Sequence, residues 1–447
     1  MHRTIAAIAT AHGVGSVSIV RLSGTDALSI ALQLSRKHEL IPRYATLTTL
    51  YTRDSILIDE VLVIYFQNPK SFTGEEVVEF QCHGGMIVAQ SLLRACIEMG
   101  ARLADPGEFS KRAFLNGRMD LTQAEAIASL IEARSDDAAR ILARQMKGEL
   151  RGYIENIRDA LLEILAYSEV VIDYAEEDLP ADVVEQIVVK LEKIKKELFR
   201  TLESSRRRSG LMQGYRVAII GKPNVGKSSL LNSLLDYERA IVSEIAGTTR
   251  DTIEEQVRIG THLIRLVDTA GIRNAHDEIE RIGIERSIAA IDNADVVIAL
   301  FDASRVMDDE DYAIAKLMEQ YAQAKPFICV LNKVDLPRMF PEESVKKYSP
   351  IELSCKQDAN VLIDALSHLM DQDNTGEEMM LISQRQISAT SDTLEAIEEA
   401  YGPLQSGELE FFSFHINQAI RSLSSITRPY ELDEMFDKMF GQFCLGK

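Results

Sequence analysis

The chain has 447 residues, 46% hydrophobic and 26% charged, the composition of a globular protein with room for about three domains. It carries 49 Lys and Arg against 69 Asp and Glu, a formal net charge of −20. Disordered, collagenous and small disulfide-scaffold classes are excluded, and so is nucleic-acid binding through bulk charge, which needs Lys and Arg to neutralise phosphates.

Any RNA contact must therefore be local or come from a partner. Five cysteines, Cys82, Cys96, Cys329, Cys355 and Cys444, form no CxxC pair. An odd count without such pairs points to a reducing cytosol rather than to disulfides or zinc. His12, Gly13 and Gly15 interrupt the N-terminal apolar stretch, so neither a signal peptide nor a membrane span is expected.

Residues 1–118 read as mixed α/β. Strand-like runs at Val17–Arg21, Glu60–Phe66 and Val77–Cys82 precede a helical stretch at Ile87–Met99, with turn signals at 23–24, 68–69 and 73–74. From Leu121 to Arg208 the apolar period becomes helical. Ile187, Leu191, Ile194, Leu198 and Leu202 fall on one helix face, and Ile127, Leu130, Ile131, Ile141 and Leu142 behave similarly. Pro180 is expected to join two long helices. Next, apolar cores at Val217–Ile220, Leu263–Val267, Val296–Phe301 and Pro326–Leu331 alternate with helical stretches. That order implies a parallel sheet covered on both faces. After Gly376 the helical spacing returns, at Ile387, Leu394 and Ile397 and then at Phe412, Ile416, Ile420 and Leu423.

An α/β unit between two helical runs suggests insertion of one domain into another. The expected fold class is α/β plus all-α. An N-terminal α/β domain covers 1–118. A helical domain is split between 119–210 and 376–447, and a phosphate-loop α/β domain at 211–375 interrupts it.

Gly221-Lys222-Pro223-Asn224-Val225-Gly226-Lys227-Ser228 matches GxxxxGK[ST], after a strand and before a helix expected at Ser228–Leu235. Backbone amides from Asn224 through Val225, Gly226, Lys227, Ser228 and Ser229 are the candidate phosphate cradle, aided by the helix N-terminus. Lys227 would reach the β- and γ-phosphates and Ser228 would ligate Mg²⁺. Asp268-Thr269-Ala270-Gly271 ends a strand downstream. Asp268 could hold the magnesium indirectly, and the Gly271 N–H could meet the γ-phosphate. In Asn332-Lys333-Val334-Asp335, the Asp335 carboxylate would accept from the guanine N1–H and amino group. Adenine lacks that donor pair, so the motif selects GTP. Ser354-Cys355-Lys356 could close over the base.

These four motifs, in this order, resemble the translation-factor-like class of Ras-like small GTPases. The resemblance implies that Ser243-Glu244-Ile245-Ala246-Gly247-Thr248-Thr249 belongs to switch I, with Thr249 completing the magnesium shell. Ile272 stands where Ras-like proteins commonly place a water-orienting glutamine. Asn224 and the long loop resemble potassium-activated GTPases, which implies K⁺ held by Asn224, Ser243, Ile245 and Thr248.

Outside this core stand Val20-Arg21-Leu22-Ser23-Gly24, the run Ser71–Gly85 (SFTGEEVVEFQCHGG), Pro106–Ser110, Leu121–Ala126 and the terminal Phe443-Cys444-Leu445-Gly446-Lys447. With them the chain resembles the tRNA-modification GTPase family MnmE, also called TrmE. The resemblance implies a cytoplasmic homodimer joined through folate-binding N-terminal domains. It implies a flavoprotein partner, MnmG, in a heterotetramer or larger complex. Together they would add an aminomethyl or carboxymethylaminomethyl group to C5 of the wobble uridine of certain tRNAs. A reduced folate such as 5-formyltetrahydrofolate would be the one-carbon donor.

By the same resemblance Arg21, Glu79, Arg118 and Lys447 line the folate pocket. Glu280, with Arg273 beside it, positions the attacking water, and Lys227 stabilises charge. Cys444 is a candidate reactive thiol. Arg118 stands where lysine is usual, and the two are not equivalent donors. Gln386 stands where histidine is usual, and Cys82 where glycine is. The alternative function is a ribosome-assembly GTPase switch.

Overall fold

The computed structural model describes residues 3–428 except 12, 134, 174–182, 208–209, 211, 213, 242–254, 261, 268–280 and 373–378. The chain divides into two compact units: Met1–Ile131 with Ala143–Ile194 and Ser388–Lys447, and Glu132–Leu142 with Lys195–Ile387.

The first unit begins with six strands, β1 (Ile5–Ile8), β2 (Val17–Ser23), β3 (Thr46–Tyr51), β4 (Leu57–Phe66), β5 (Val77–His83) and β6 (Arg102–Leu103). They form one sheet in the order β3-β4-β5-β2-β1-β6. Only the β1–β6 pair is parallel. Side chains alternate between sheet faces. Val20 and Leu22 on β2 oppose Phe80 and Val78 on β5, all fully buried. They pack with α1 (Ala27–Ser35) and α2 (Met86–Glu98). The intervening pair, Arg21 opposite Glu79, is thereby directed to the other face. There Ile5, Ala7 and Phe109 of α3 (Glu108–Leu115) form a smaller cluster with Phe72.

Helices complete this unit. On α6 (Glu149–Asp173), Leu150, Ile154, Ile157, Leu161 and Ile164 form a buried stripe, the 3–4 spacing of a packed helix face. It lies along α13 (Leu409–Ser424), whose Phe412, Ile416, Ile420 and Leu423 are buried as expected. The Ser168 and Ser413 hydroxyls meet at 3.0 Å between them. The five apolar residues expected on one face of α7 (Val183–Arg207) are all buried. Ile131 is not; it is 44% exposed. Ile127, Leu130 and Ile141 are half-buried, and of the group expected with Ile131 only Leu142 is buried: α4 (Leu121–Glu132) turns Leu121, Ala124 and Ala126 inward instead, and Ile141 and Leu142 lie on a separate helix, α5 (Asp136–Met146). Pro180 lies outside the described residues.

The second unit holds β7 (Tyr215–Ile220), β8 (Glu255–Ile259), β9 (His262–Val267), β10 (Val296–Asp302), β11 (Phe327–Asn332) and β12 (Ile351–Leu353). The sheet order is β12-β11-β10-β7-β9-β8. Val217 and Ile219 face one apolar cluster while Ala218 and Ile220 face another, so both faces are covered. Around the sheet stand α8 (Lys227–Ile241), α9 (Arg281–Asn293), α10 (Asp309–Tyr321) and α11 (Asn360–Gln372). The expected all-parallel sheet is corrected at one edge, where β8 runs antiparallel to β9. Only two residues separate these strands, with Gly260 at φ +58°, and so short a link permits only a hairpin.

The start of α5 belongs to this unit. Asp136 accepts a bond from Arg258 at 3.0 Å, and Asp137 approaches the buried His262, whose other ring nitrogen meets Asp371 at 2.9 Å. Gln386, at the head of α12 (Gln384–Ser406), is fully buried. Its Oε1 accepts the Ile382 N–H at 2.9 Å, and its own N–H donates to Ser383 Oγ at 3.3 Å. The buried amide oxygen at position 386 thus holds the backbone just before the helix. Among the described residues no helix is long and apolar enough to cross a membrane.

The histidine–glycine–glycine turn after β5 offers a direct check. A Cβ on Gly84 would stand 2.1 Å from the Gly15 carbonyl oxygen, whereas one on Gly85 meets nothing within 4 Å. Gly84→Ala is expected to cost ~1–3 kcal/mol, as overpacking does, and to lower the melting temperature by several degrees. Gly85→Ser, at the N-cap of α2, is expected to be neutral or slightly stabilising. Calorimetry of both variants reads the difference.

Candidate functional site

The phosphate loop is shaped by what two glycines leave out. A Cβ on Gly221 would come within 2.7 Å of the Leu300 carbonyl oxygen, and one on Gly226 within 2.2 Å of Asn332 Nδ2. Gly226 has φ +110° and Asn224 φ +62°, the left-handed region glycine and asparagine tolerate best. β7 delivers the chain into this loop and α8 begins at Lys227, placing the helix's unpaired N–H groups at the loop. The Lys227 ammonium donates to Gly221 O at 2.6 Å and Lys222 O at 2.9 Å. Burial pushes its pKa below the usual lysine value.

Asn332 ties the base motif to this loop. Its Nδ2 donates to Val225 O at 2.7 Å, and its Oδ1 accepts the Cys355 N–H at 3.0 Å. Lys333, in left-handed backbone at φ +66°, donates to Asn224 O at 2.7 Å and to Asp302 Oδ2 at 2.6 Å. Asp335 is exposed on the same loop, as is Lys356 beyond the buried Ser354. Ser233 of α8 donates to Cys355 O at 2.8 Å. Burial raises the Cys355 thiol to about 11, so its role here is that of its peptide group.

Direct bonds therefore join Val225 to Asn332, Asn332 to Cys355 and Asn224 to Lys333, with Gly226 and Lys227 in the same loop. Ser228 and Ser229 are in the first turn of α8. Ser243, Glu244, Ile245, Ala246, Gly247, Thr248 and Thr249 lie outside the described residues. So do Asp268, Thr269, Ala270, Gly271, Arg273, Glu280, Cys444 and Lys447.

Two further residues belong to the site without having been singled out. Asp302 ends β10 and is 2% exposed. Burial pulls its pKa up, but bonds from Lys333 and from the Ser304 hydroxyl and N–H outweigh that and leave it below the usual value. Lys222 is buried against Asp308 and Asp311. A polar residue closing an otherwise apolar strand marks Asp302 in the sequence, whereas nothing local marks the Lys222 partners.

In the first unit, Arg21 Nε and Nη2 donate to Glu79 Oε1 at 2.9 and 2.8 Å. The Arg21 guanidinium also lies 5.4 Å from the Phe72 ring centre and 5.7 Å from that of Phe109. Arg118 Nε donates to Ser71 O at 3.2 Å, while Asn116 holds Thr73 O at 2.7 Å. The segment 71–75 thus brings all three described candidates to one region. A buried network backs it. Arg112 pairs with Glu75 and Glu108 at 2.9 Å each, Arg102 also pairs with Glu108, and Ser23 joins Thr73 and Glu75 at 2.7 Å each. Burial raises the Glu108 carboxyl, but Arg102, the Asp105 N–H and Arg112 bring it below its usual value. Cys82 is buried, its thiol donates to Ser18 O at 3.3 Å, and burial raises its pKa.

A family model described as GTP-binding protein TrmE N-terminus matches residues 4–118, and one described as MnmE helical domain matches 121–444. The chain is 63% identical over 444 residues, 99% of both chains, to a tRNA modification GTPase MnmE of Sulfurimonas denitrificans. It is 57% identical over 447 residues to that of a Sulfurovum species, covering 100% of this chain and 99% of the other. With that of Campylobacter jejuni it is 50% identical over the full length of both.

Asp302 carries a pH prediction. A depressed folded pKa adds stability that is fully present above the ordinary carboxylate value of 3.8 and is lost as pH falls through the folded value. Asp302→Asn is expected to cost about 1–3 kcal/mol at neutral pH and to flatten the acid limb of the stability profile. Urea unfolding at pH 7 and at a series of pH values below 3.8 measures both.

Proposed function

The chain belongs to the MnmE (TrmE) family and is a GTP-hydrolysing enzyme of tRNA modification, and from that premise we propose how its residues divide the work. The G domain spans 211–375, inserted between helical segments 119–210 and 376–447, behind an N-terminal folate-binding and dimerisation domain at 1–118. The observation that carries the assignment is the Asn332 bridge from Val225 to Cys355. It supports the reading because it ties the loop 332–335 to the phosphate-loop motif.

GTP occupies this cradle with its phosphates on the amides of Asn224 to Ser229 and its guanine on Asp335. Ser354, Cys355 and Lys356 close over the base. The cradle suits cations as well as an anion, because Ser228 and Asn224 are both exposed oxygen-bearing side chains at its rim. Ser228 and Thr249 would hold Mg²⁺, with Asp268 acting on it indirectly, and Asn224, Ser243, Ile245 and Thr248 would hold K⁺. When bound, these ions offset charge on the phosphates. Lys227 leaves the carbonyls of Gly221 and Lys222 for the β- and γ-phosphate oxygens. Thr269, Ala270 and Gly271 are candidates for the γ-phosphate, and Glu244, Ala246 and Gly247 of switch I are further nucleotide-binding candidates. Glu280, assisted by Arg273, orients the water that attacks phosphorus, replacing the glutamine that Ile272 displaces.

Arg21, Glu79, Arg118 and Lys447 take the reduced folate, 5-formyltetrahydrofolate being one such donor. An arginine fork and a carboxylate side by side suit a pterin's paired donors and acceptors. Cys444 lies close in sequence to Lys447 and is the candidate reactive thiol. The homodimer works in the cytoplasm with the flavoprotein MnmG, and the group installed is aminomethyl or carboxymethylaminomethyl at C5 of the wobble uridine. The ribosome-assembly alternative gains nothing from matches that run from residue 4 to 444.

Mass spectrometry of tRNA from a deletion strain is expected to show an unmodified wobble uridine; fully modified tRNA refutes the assignment. Glu280→Ala is expected to keep GTP affinity while hydrolysis falls roughly 10²-fold or more. The same assay in K⁺ and in Na⁺ is expected to give faster turnover in K⁺, and equal rates would remove the potassium site.

A further inference from the structure

Lys222, the second residue of the phosphate loop, is turned away from the cradle. Its side chain is 7% exposed and its ammonium donates to Asp308 Oδ2 at 2.6 Å and Asp311 Oδ2 at 2.5 Å. Both acids belong to the first turn of α10, where Asp308 is the N-cap and each of the pair accepts the other's N–H. With Asp309 and Glu310 between them, four acids stand in a row. Asp311 is 1% exposed, and its Oδ1 has no hydrogen-bond partner among the described residues.

This acidic turn lies close to where phosphates are expected. The charge of Glu310 is felt at the Lys227 ammonium, whose protonation it favours against the effect of burial. The Lys222 carbonyl is itself one of the two acceptors for that ammonium. Lys222 therefore sits between a cluster of negative charge and a site for a polyanion. Its side chain is the one cation bonded to Asp308 and Asp311 among the described residues. Like charge left uncompensated beside such a site disfavours binding in proportion to the charge on the ligand.

We propose that Lys222 is a positioning residue for GTP: it fastens the acidic start of α10 to the phosphate loop, cancels that charge beside the phosphates, and so keeps Lys227 aimed at them. This rests on residues 221–228 being the phosphate loop. Loss of Lys222 has a signature that general loosening of the fold lacks, because the penalty grows with the number of phosphates.

The test measures dissociation constants of GTP, GDP and GMP for the full chain, by competition with a fluorescent guanine nucleotide at low ionic strength. Lys222→Met is expected to weaken GTP about tenfold, GDP less and GMP least. Lys222→Arg is expected to restore binding, and adding Asp308→Asn with Asp311→Asn to Lys222→Met is expected to recover most of the loss. An equal loss for all three nucleotides, or no recovery in the triple variant, overturns the proposal. Should Lys222→Met fail to fold, Glu310→Gln at an exposed position serves instead. It is expected to tighten GTP about twofold relative to GMP, with the gain fading at high salt, and an unchanged ratio overturns the proposal. Lys227→Ala separates the two levels. If it leaves GTP binding intact, the phosphate-loop assignment fails; if it removes binding while Lys222→Met does nothing, only the role of Lys222 fails.

Discussion

One buried carboxamide sets the geometry of the nucleotide site. Asn332 is 3% exposed and joins the end of β11 to the phosphate loop after β7 and to the loop after β12. All three loops leave the same edge of a largely parallel sheet, the edge at which α/β folds commonly bind ligands. If the amide were removed, the Val225 carbonyl and the Cys355 N–H would lose a buried partner, each at a cost of about 1–3 kcal/mol. The bridge also dictates Gly226, since any side chain there would occupy the space of the Asn332 nitrogen. The phosphate-loop motif, the loop that follows β11 and the loop that follows β12 are thereby bonded to one side chain.

Around that node the protein arranges charge locally, against a net charge of −20. Three lysines near the cradle have defined counterparts. Lys227 rests on two carbonyls, Lys333 on Asp302 and a carbonyl, and Lys222 on two carboxylates. Carbonyl oxygens hold Lys227 without neutralising it, so its full charge is at hand for phosphate. The two lysines paired with carboxylates instead serve the frame. The N-terminal domain follows the same economy: Arg112, 4% exposed, is balanced by Glu75 and Glu108 beneath the segment that presents Phe72.

The sequence made the strand cores and nucleotide motifs readable because both obey local rules. Buried strands are apolar runs, and a phosphate loop is a contiguous pattern. The five-residue stripe of α7 was equally plain. β1, with the sequence IAAI, and β3, with TLTTLY, escaped notice because short alanine- or threonine-rich strands lack a decisive period. The antiparallel edge depended on a two-residue turn at Gly260. Ile131 looked buried, but the face that α4 turns inward is that of Leu121, Ala124 and Ala126. Least legible were the long-range charge pairs. Lys222 and Asp311 are 89 residues apart and Arg112 and Glu75 are 37 apart, and no local pattern links such partners. The folate residues were recognisable by family resemblance alone, since an Arg–Glu pair across two strands is common on any sheet.

The division of the chain also bears on its birth at the ribosome. Every residue of the second unit has been made by position 387, while the first unit still awaits its last stretch from 388 onward. The apolar stripe of α6 emerges early, yet the α13 residues that cover it follow far behind; Ser168 precedes its partner Ser413 by 245 residues. At usual elongation rates that interval lasts roughly 10–50 s. During it the buried stripe of α6 awaits α13, and every residue of the second unit is synthesised before α13 begins at Leu409.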